Sequence, residues 1–330
     1  MHEIILNKNH SFAIECGQTI LEAARNANIS WPYSCKNGRC NMCKCQVING
    51  TTMVNYPEVG LTADEKNKGW ILGCARTAST NLILKINGFQ NKQFPSIKQL
   101  PCKINSIEKV SPDIIKATLR FPKSTSFDFF PGQYVEVIGN SGIRRSYSIA
   151  NSNFSTNILE LHIKYIKGGA MSEYWFKTAM INDLLRIEGP MGTFSFNNNN
   201  PAQNLIFLAT GTGIAPVKSI LESIPNLNKQ NRPENITLLW GNRLISDIYL
   251  NIDSLPNLND FNLVLSQPDY NWTGAVGYIQ DILMQMNISF ENTEIYACGS
   301  PLMINDTKNK LINLGYSINR FYSDAFVSSI

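Results

Sequence analysis

The chain has 330 residues, of which 43% are hydrophobic, and its 29 basic and 25 acidic side chains give a net charge of +4. This length and apolar content predict a globular protein of two or three domains, and the small net charge without long basic runs argues against nucleic acid as a partner. No apolar run approaches the roughly 18 to 20 residues that span a bilayer, and the N-terminal segment lacks a signal-peptide pattern, so we expect a cytoplasmic protein without a membrane partner.

Two polar stretches indicate linkers between domains. FQNKQFPSIKQLP at residues 89–101 carries two prolines without clear periodicity, and NNNNPAQN at residues 197–204 is of low complexity. The predicted division is a first domain at residues 1–90, a linker at 91–101, a second domain at 102–198 and a third domain at 199–330.

The first segment contains one predicted helix and a loop rich in cysteine. In TILEAARNANI, Thr19 is a candidate N-cap, and the apolar residues that follow it have helical spacing. The loop CKNGRCNMCKC at residues 35–45 holds four of the eight cysteines. In a reducing compartment, clustered cysteines more often bind metal or carry out redox chemistry than form structural disulfides.

The spacing of the cysteines suggests their ligand. Cys35, Cys40 and Cys43 form C-x4-C-x2-C, and Cys74 follows in WILGCAR, which is the plant-type [2Fe–2S] pattern. Gly38 would let the loop turn closely around the inorganic core. Structural zinc sites typically take paired ligands from each of two loops, whereas here Cys74 has no neighbouring ligand. We therefore predict a [2Fe–2S] cluster on these four cysteines, with zinc or unligated thiols as alternatives.

The other cysteines have no ligand-like neighbours. Cys45 stands in KCQVI, where it would share one face of a strand with Val47. We predict that Cys45, Cys16 and Cys102 are buried small hydrophobic residues.

The second and third segments differ in pattern. The second contains FFPGQYVEVI, RRSYSIA, ILELHIKYI and LLRIEGP, which are short apolar or alternating runs bounded by turn residues and predict a small β-barrel. In the third, the strand-like LIFLAT, NITLLWG, FNLVLS and EIYACGS alternate with the helix-like APVKSILESI and YIQDILMQM, which predicts a parallel sheet with crossover helices. The expected fold class is a multidomain combination of α+β and α/β.

The third segment also carries a glycine pattern typical of nucleotide binding. Gly211 and Gly213 lie between a strand and a helix that begins near Pro216, where backbone can approach a pyrophosphate and the helix N-terminus favours an anion. Pro216 replaces the third glycine of G-x-G-x-x-G. Cys298 and Gly299 end a late strand, and ligands of open α/β sheets bind at that edge.

Four motifs resemble the FAD-binding half of the ferredoxin-NADP reductase family. They are PGQY at residues 131–134, RSYS at 145–148, GGAMS at 168–172 and EGPMGTF at 188–194, in the order of that family. Each motif alone is weak evidence. Together with G-x-G-x-x-P, which is the usual form in this family, they imply a β-grasp ferredoxin-like domain, an FAD-binding β-barrel and an α/β parallel-sheet domain for NAD(P)H.

The resemblance also implies residue roles. Arg145 would neutralise the FAD pyrophosphate, Tyr147 would pack on the isoalloxazine ring, and Ser148 would hydrogen-bond near N5. Gly169 would let backbone approach the pyrophosphate, and Ser172 would add hydrogen-bond donors. The full cofactor-binding set that we predict is Arg145, Tyr147, Ser148, Gly169, Met171, Ser172, Gly211, Thr212, Gly213, Pro216, Cys298 and Gly299.

The sequence gives less information on the choice between NADH and NADPH. The acidic residue that holds the ribose of NAD is missing, because the second strand ends with Asn242 and Arg243. Arg243 could meet the 2′-phosphate of NADPH or remain a solvated loop residue, while the resemblance favours NADH. The predicted cofactors are FAD, a [2Fe–2S] cluster and NADH, with NADPH open.

A narrower resemblance extends over almost the whole chain. PYSCKNGRCNMCK, WTGAVGY and the terminal FYSDAFVSS are similar to reductases that work with a pyridoxamine-phosphate dehydrase on a CDP-6-deoxy-3,4-glucoseen intermediate in 3,6-dideoxysugar synthesis. In that group the tail folds toward the flavin, so Phe326 or a neighbour could cover the ring. The resemblance implies Tyr147, Ser148, Cys298 and Phe326 as catalytic residues.

Two alternatives to this function stay open. The same cofactor order occurs in reductase components of aromatic-ring or di-iron monooxygenases. A zinc-binding scaffold without catalysis is a further alternative, and it predicts a colourless protein.

Overall fold

The computed structural model describes residues 1–86, 93–139, 142–152, 157–196, 202–286 and 288–327. Within these residues the chain forms one five-stranded sheet, two six-stranded sheets and a two-stranded ribbon. Each of the three large sheets comes from one third of the chain. No helix in the described residues is long and apolar enough to cross a membrane.

The first third is a mixed sheet packed on a short helix. Its elements are β1 (His2–Leu6), β2 (His10–Ile14), α1 (Ile20–Asn26), β3 (Lys44–Asn49), β4 (Thr52–Val54), α2 (Ala63–Asn67), β5 (Trp70–Leu72), β6 (Arg76–Ala78) and β7 (Leu82–Ile86). The strand order is β2-β1-β7-β3-β5, and β1 and β7 run parallel. The predicted cap is confirmed, because Thr19 and Glu22 form a reciprocal capping box at α1.

The second third is an antiparallel barrel. Its elements are β8 (Lys98–Ser111), β9 (Ile114–Arg120), β10 (Tyr134–Ile138), β11 (Arg144–Ser148), β12 (Ile158–Lys164), α3 (Ala170–Glu173), a π-helical turn (Tyr174–Thr178) and β13 (Leu184–Met191). The strand order is β11-β10-β13-β8-β9-β12. A bridge between Ile149 and Leu161 joins the two ends of the sheet and closes the barrel.

One boundary differs from the prediction. Residues 98–101, expected to be linker, already form the start of β8 and pair with β13. Pro101 lies opposite Arg186 in this ladder, so a proline within the strand did not end it.

The last third is a parallel sheet covered by helices on both faces. Its elements are β14 (Asn204–Thr210), a 3₁₀ turn (Gly211–Gly213), α4 (Ile214–Ser223), β15 (Asn235–Asn242), β16 (Asp260–Leu265), β17 (Ala275–Val276), α5 (Ile279–Gln285), β18 (Thr293–Gly299), α6 (Pro301–Asn313) and β19 (Phe321–Ala325). The strand order is β17-β16-β15-β14-β18-β19, with every pair parallel. The carboxyl ends of these strands therefore form one edge.

Candidate functional site

Four thiols meet where the loop after α1 approaches the turn between β5 and β6. The backbone N–H of Cys40 donates to Cys35 Sγ at 3.3 Å, and the N–H of Cys35 donates to Cys40 Sγ at 3.4 Å. The N–H of Cys74 donates to Cys43 Sγ at 3.4 Å. The thiols thus form two pairs, and all except the half-buried Cys35 are buried.

Within each pair the two thiols differ in acidity. A hydrogen bond from Cys40, helped by backbone N–H groups and opposed by burial, lowers the pKa of Cys35 to about 5. A hydrogen bond from Cys43 likewise lowers the pKa of Cys74, while the pKa values of Cys40 and Cys43 are raised well above their usual range by those hydrogen bonds and by burial. Each pair is therefore built to hold negative charge on sulfur, the form that ligates metal.

This arrangement fits a two-iron cluster better than a single ion. A [2Fe–2S] centre takes two ligands on each of two irons, whereas structural zinc needs four around one ion. Gly38 has φ of +77°, and a Cβ there would collide with the carbonyl oxygen of Pro57, so the loop requires glycine.

The remaining cysteines of the first two thirds have separate environments. Cys45 is fully buried in β3, and burial raises its pKa; Cys102 is buried in β8, and burial raises its pKa to about 12. The prediction for these two is confirmed. For Cys16 it is wrong: this residue is exposed, because it lies in the turn after β2, beside Gly17 with φ of +85°.

Strand β11, at one end of the barrel sheet, carries the predicted flavin residues. Arg145 forms no ion pair with the described residues, and its Nη1 donates to the carbonyl of Arg144 at 2.8 Å. An uncompensated guanidinium suits a pyrophosphate. Tyr147 lies edge-on to Trp175 with ring centroids 6.4 Å apart, and burial raises its pKa. Ser148, the next residue, is buried.

The Gly-Gly motif forms the turn between β12 and α3. Gly168 has φ of +76° with open space around it, and Gly169 precedes the first helical residue. The hydroxyl of Ser172 accepts from the N–H of Ile166 at 2.9 Å and holds the turn closed. Met171 is buried in the barrel core. Gly168 therefore leaves room at the tip of the turn for a ligand to approach backbone.

At the edge of the parallel sheet, the ends of β14 and β18 approach each other closely. A Cβ on Gly213 would collide with the carbonyl oxygen of Cys298. A Cβ on Gly299, whose φ is +125°, would collide with the hydroxyl of Thr210, which accepts from the N–H of Ser300 at 2.8 Å. The structure thus brings Gly213, Cys298 and Gly299 together, and the glycines are needed for that approach.

The turn that leads into α4 remains accessible. Gly211 has φ of +52° with open space at its Cβ position, and its carbonyl accepts from Nε1 of Trp240 at 2.9 Å. Thr212 is buried, and Pro216 lies in the first turn of α4, where its missing N–H leaves no hydrogen bond unmade. This is an open backbone turn followed by a helix N-terminus, and it suits a phosphate group.

Cys298 and the C-terminal strand occupy the same edge. The thiol of Cys298 is fully buried, and burial raises its pKa well above the usual range. The N–H of Phe326 donates to the carbonyl of Gly299 at 2.8 Å, and the side chain of Phe326 packs against the core that contains Phe194 and Tyr296. Phe326 therefore lies beside Gly299.

Sequence reasoning missed a network that joins this edge to the cysteine loop. Asp324, opposite Cys298 in the β18–β19 ladder, is buried; burial raises its pKa to about 6, and a hydrogen bond with Ser34 opposes the rise. The hydroxyl of Ser34 donates to the carbonyl of Ala325 at 3.0 Å, and the hydroxyl of Tyr134 donates to the carbonyl of Ser34 at 3.2 Å. The segment FYSDAF carries part of the family resemblance, but no local sequence pattern connects its Ala325 with Ser34, which lies 291 positions away.

Three family models match successive parts of the chain. They are a 2Fe-2S iron-sulfur cluster binding domain at residues 4–79, an oxidoreductase FAD-binding domain at 101–196 and an oxidoreductase NAD-binding domain at 207–309. A CDP-6-deoxy-L-threo-D-glycero-4-hexulose-3-dehydrase reductase of Yersinia pseudotuberculosis serotype I (strain IP32953) is 37% identical, over 96% of both chains. The chain belongs to the ferredoxin-NADP reductase family. As a member of this reductase family, it passes electrons from NAD(P)H through FAD and a [2Fe–2S] cluster to an acceptor partner.

Two more distant proteins match almost the whole chain. Terephthalate 1,2-dioxygenase reductase component 1 of Comamonas sp is 27% identical, over 99% of this chain and 98% of the relative. The crystal structure of the Amycolatopsis cytochrome P450 reductase GcoB superposes with a TM-score of 0.76, at 24% identity and 99% coverage of both chains. The family models and the Yersinia relative confirm the predicted family and the predicted FAD, [2Fe–2S] and NAD(P)H cofactors, and the structural match is consistent with the predicted fold class.

Proposed function

We propose that this reductase supplies electrons to a pyridoxamine-phosphate dehydrase that acts on a CDP-linked 3,6-dideoxysugar precursor, so that the CDP-6-deoxy-3,4-glucoseen intermediate is reduced. The observation that carries the proposal is the 37% identity over 96% of both chains to a reductase named for such a dehydrase. The dioxygenase reductase component matches over as much of the chain at only 27%. We place the pair in the cytoplasm, where clustered thiols stay reduced.

The cluster end of the route is proposed to rest on Cys35, Cys40, Cys43 and Cys74. Their arrangement in two pairs and the backbone N–H groups directed at sulfur support this ligand set. When bound, the nicotinamide, flavin and cluster together convert a two-electron hydride donor into one-electron transfers. The protein binds and orients these groups, and the burial of the thiols keeps water away from the cluster position.

The flavin and nicotinamide ends are proposed to rest on the residues around β11 and the sheet edge. Arg145 would neutralise the pyrophosphate of FAD, Tyr147 would pack on its ring, and Ser148 would hold a proton-donating hydroxyl near N5. Cys298 would border the nicotinamide, and Phe326 would cover the flavin ring until the nicotinamide displaces it. The remaining proposed contacts to the two dinucleotides are Gly169, Met171, Ser172, Gly211, Thr212, Gly213, Pro216 and Gly299.

NADH is the proposed electron donor, with NADPH as the alternative. Arg243, the residue that could pair with a 2′-phosphate, is exposed just after β15. If it is a solvated loop residue, Arg243→Ala will leave the ratio of kcat/KM for NADH and NADPH unchanged. A selective loss with NADPH would show that Arg243 contacts the phosphate and would favour the alternative.

The acceptor is tested by stopped-flow mixing of the NADH-reduced protein with the dehydrase loaded with its CDP-sugar. We expect reoxidation of the reductase to depend on both the dehydrase and the sugar. The matched control is the Cys74→Ser variant, whose flavin should still be reduced by NADH but should not pass electrons on. Absence of transfer from the intact protein would overturn the assignment.

A second candidate is the reductase component of an oxygenase. It is favoured by the match to the terephthalate dioxygenase reductase over 99% of the chain. Coupled oxygen consumption with a terminal oxygenase, without any transfer to the dehydrase, would select this reading.

A further inference from the structure

A buried polar contact zone joins the barrel to the parallel sheet, and no cofactor role has been assigned to it. We call it the seam and define it as Glu160 and His162 on β12, Lys218 and Ser219 on α4, and Tyr249 after β15. The side chain of His162 is 1% exposed and that of Lys218 is 13% exposed. Buried polar groups of this kind are costly unless each has a partner.

His162 connects the two domains through its two ring nitrogens. Nε2 lies 2.9 Å from Oε1 of Glu160, and Nδ1 lies 2.9 Å from the hydroxyl of Tyr249. Burial alone would raise the pKa of Glu160, but the hydrogen bond with His162 and the charge of Lys218 outweigh it and lower the pKa to about 2. An ionised carboxylate can only accept, so Nε2 of the neutral ring carries the proton and Nδ1 accepts from Tyr249.

Helix α4 is attached to the barrel on the flavin side of the seam. Nζ of Lys218 lies 3.2 Å from Oε1 of Glu160 and donates to the carbonyl of Ala150 at 3.0 Å. The hydroxyl of Ser219 donates to the carbonyl of Asn151 at 2.8 Å. Ala150 is two residues beyond Ser148, so the helix that follows the glycine turn is held against the end of the flavin strand.

Tyr249 extends the same contacts to the glycine turn. Its ring lies edge-on to Trp240 with centroids 5.6 Å apart, and Nε1 of Trp240 donates to the carbonyl of Gly211 at 2.9 Å. An unbroken series of contacts thus runs from His162 in the barrel through Tyr249 and Trp240 to Gly211.

We propose that His162 and Tyr249 are positioning residues that fix the glycine turn relative to β11, so that nicotinamide and flavin meet in the geometry that hydride transfer requires. The proposal rests on the roles proposed above for Gly211 and Ser148, and it is independent of the identity of the acceptor. Displacements of about 1 Å in such a geometry cost up to about 100-fold in rate. The seam is suited to prevent them because its hydrogen bonds are buried and directional.

Three variants separate positioning from simple structural support. Tyr249→Phe removes the hydroxyl. His162→Gln places an amide where Nε2 was and keeps the contact with Glu160, while His162→Asn places an amide oxygen where Nδ1 was and keeps an acceptor for Tyr249. Each is purified with FAD, and NADH is mixed with it in a single turnover that follows only flavin reduction.

We expect Tyr249→Phe and His162→Gln to slow flavin reduction by about 10- to 100-fold, and His162→Asn to stay within about threefold of the parent. The apparent Kd for NADH should change by less than about threefold in all three, because the proposed cofactor contacts are intact. A parent rate in both Tyr249→Phe and His162→Gln would overturn the proposal.

Hydrogen exchange gives a readout that does not depend on turnover. In the FAD-loaded protein without NADH, the amides of residues 211–214 should exchange faster in Tyr249→Phe and His162→Gln but not in His162→Asn. If flavin reduction were slowed equally in all three variants and their Tm values were lowered equally, the seam would only support the fold, and the proposal would be overturned. Failure of electron delivery to the dehydrase would sink the proposed acceptor but leave these flavin-reduction results unaffected.

Discussion

The barrel is joined to its two neighbours in different ways. Toward the parallel sheet, the seam is buried and hydrogen-bonded, with the His162 side chain 1% exposed. Toward the cluster-bearing domain, the ion pair between Lys36 and Glu136 has side chains 27% and 15% exposed. Partly exposed ion pairs contribute little, whereas buried and fully paired networks fix one geometry. The cluster side also has buried contacts, because the N–H of Gly192 donates to the hydroxyl of Tyr33 at 3.0 Å and Tyr134 packs into the core of the cluster-bearing domain. The comparison indicates that the two junctions differ in kind: a buried network of charged and polar groups joins the barrel to the nucleotide domain, whereas apolar packing, hydrogen bonds to backbone and a partly exposed ion pair join it to the cluster-bearing domain.

A cavity lies where the cluster-bearing domain meets the other two thirds of the chain. It has a volume of about 80 Å³ and is lined by all three thirds of the chain, including Trp70, Phe194 and Tyr322. Lys308 at its wall forms no ion pair with the described residues, and burial, then the charge of Lys44, lowers its pKa. The like charges of Lys44 and Lys308 face each other between the cluster-bearing domain and the nucleotide domain, so they weaken that contact and not the one with the barrel.

The largest expected effect is loss of the cluster, and it distinguishes Cys74 from Cys45. Cys74→Ser should lose the cluster, because one of the two thiol pairs is broken. Cys45→Ala, in the same domain and equally buried, should keep its iron and lose about 1 to 2 kcal/mol of stability from the cavity. Iron content and the visible spectrum of anaerobically purified protein measure both. Retention of the cluster in Cys74→Ser with loss in Cys45→Ala would contradict the ligand set.

The next effect concerns the two glycines before α4. Gly213→Ala should slow flavin reduction by NADH at least about 100-fold, since its Cβ would push the turn away from Cys298. In the protein without cofactor, Gly211→Ala meets open space, so its cost in stability should be only about 1 to 2 kcal/mol of backbone strain at φ of +52°. Its Cβ would enter the space proposed for the phosphate, so the apparent Kd for NADH should rise while the rate at saturating NADH falls less than in Gly213→Ala. Single-turnover kinetics and thermal unfolding give the two values. Equal loss in both variants would show that the close approach at Gly213 is not what matters.

The seam predicts a dependence of stability on pH. Burial lowers the pKa of His162, which faces Glu160, Lys218, Tyr249 and Lys116. The unfolded chain therefore binds a proton that the folded chain refuses, and stability should fall as the pH drops through about 6.5. Glu160, whose pKa is lowered, loses its stabilising effect only below about pH 4.3, so the two can be distinguished.

Tm is measured as a function of pH for the parent and for His162→Gln, in which the side chain at position 162 does not titrate. The slope of Tm against pH should be smaller in the variant than in the parent between about pH 5.5 and about pH 7.5, a range centred on the ordinary histidine pKa of about 6.5. An unchanged slope would mean that another group titrates there.

The smallest effect belongs to the cluster-side ion pair. Lys36→Ala should change electron transfer from flavin to cluster by less than about fivefold, because a partly exposed ion pair is worth about 1 kcal/mol. The effect should shrink with added salt. Lys68→Ala, which breaks an exposed pair with Asp64 in the same domain, is the control and should leave the rate unchanged. A loss above tenfold would place the cluster-side junction on a level with the seam.

A feature could be predicted from the sequence when the residues that form it lie close together along the chain. Cys35, Cys40 and Cys43, three of the proposed ligands, share one loop, and the glycines around Thr212 stand between a strand and a helix, so local spacing was sufficient to single them out. The seam could not be predicted, since His162 and Tyr249 are 87 positions apart and neither lies in a motif. Cys16 was misjudged because average burial of cysteine says nothing about a particular turn.

The C-terminal strand has a consequence for the order in which the protein is assembled. The hydroxyl of Ser34, which precedes the first proposed cluster cysteine, donates to the carbonyl of Ala325, and the hydroxyl of Ser323 donates to the sulfur of Met42. Domains generally fold as they leave the ribosome, the N-terminal one first. Here the cysteine loop is synthesised almost 300 residues before the strand that it contacts. The cysteines therefore lack their contacts with the C-terminal strand through most of synthesis. We therefore expect that iron can be inserted into the nascent chain before the three domains close around it.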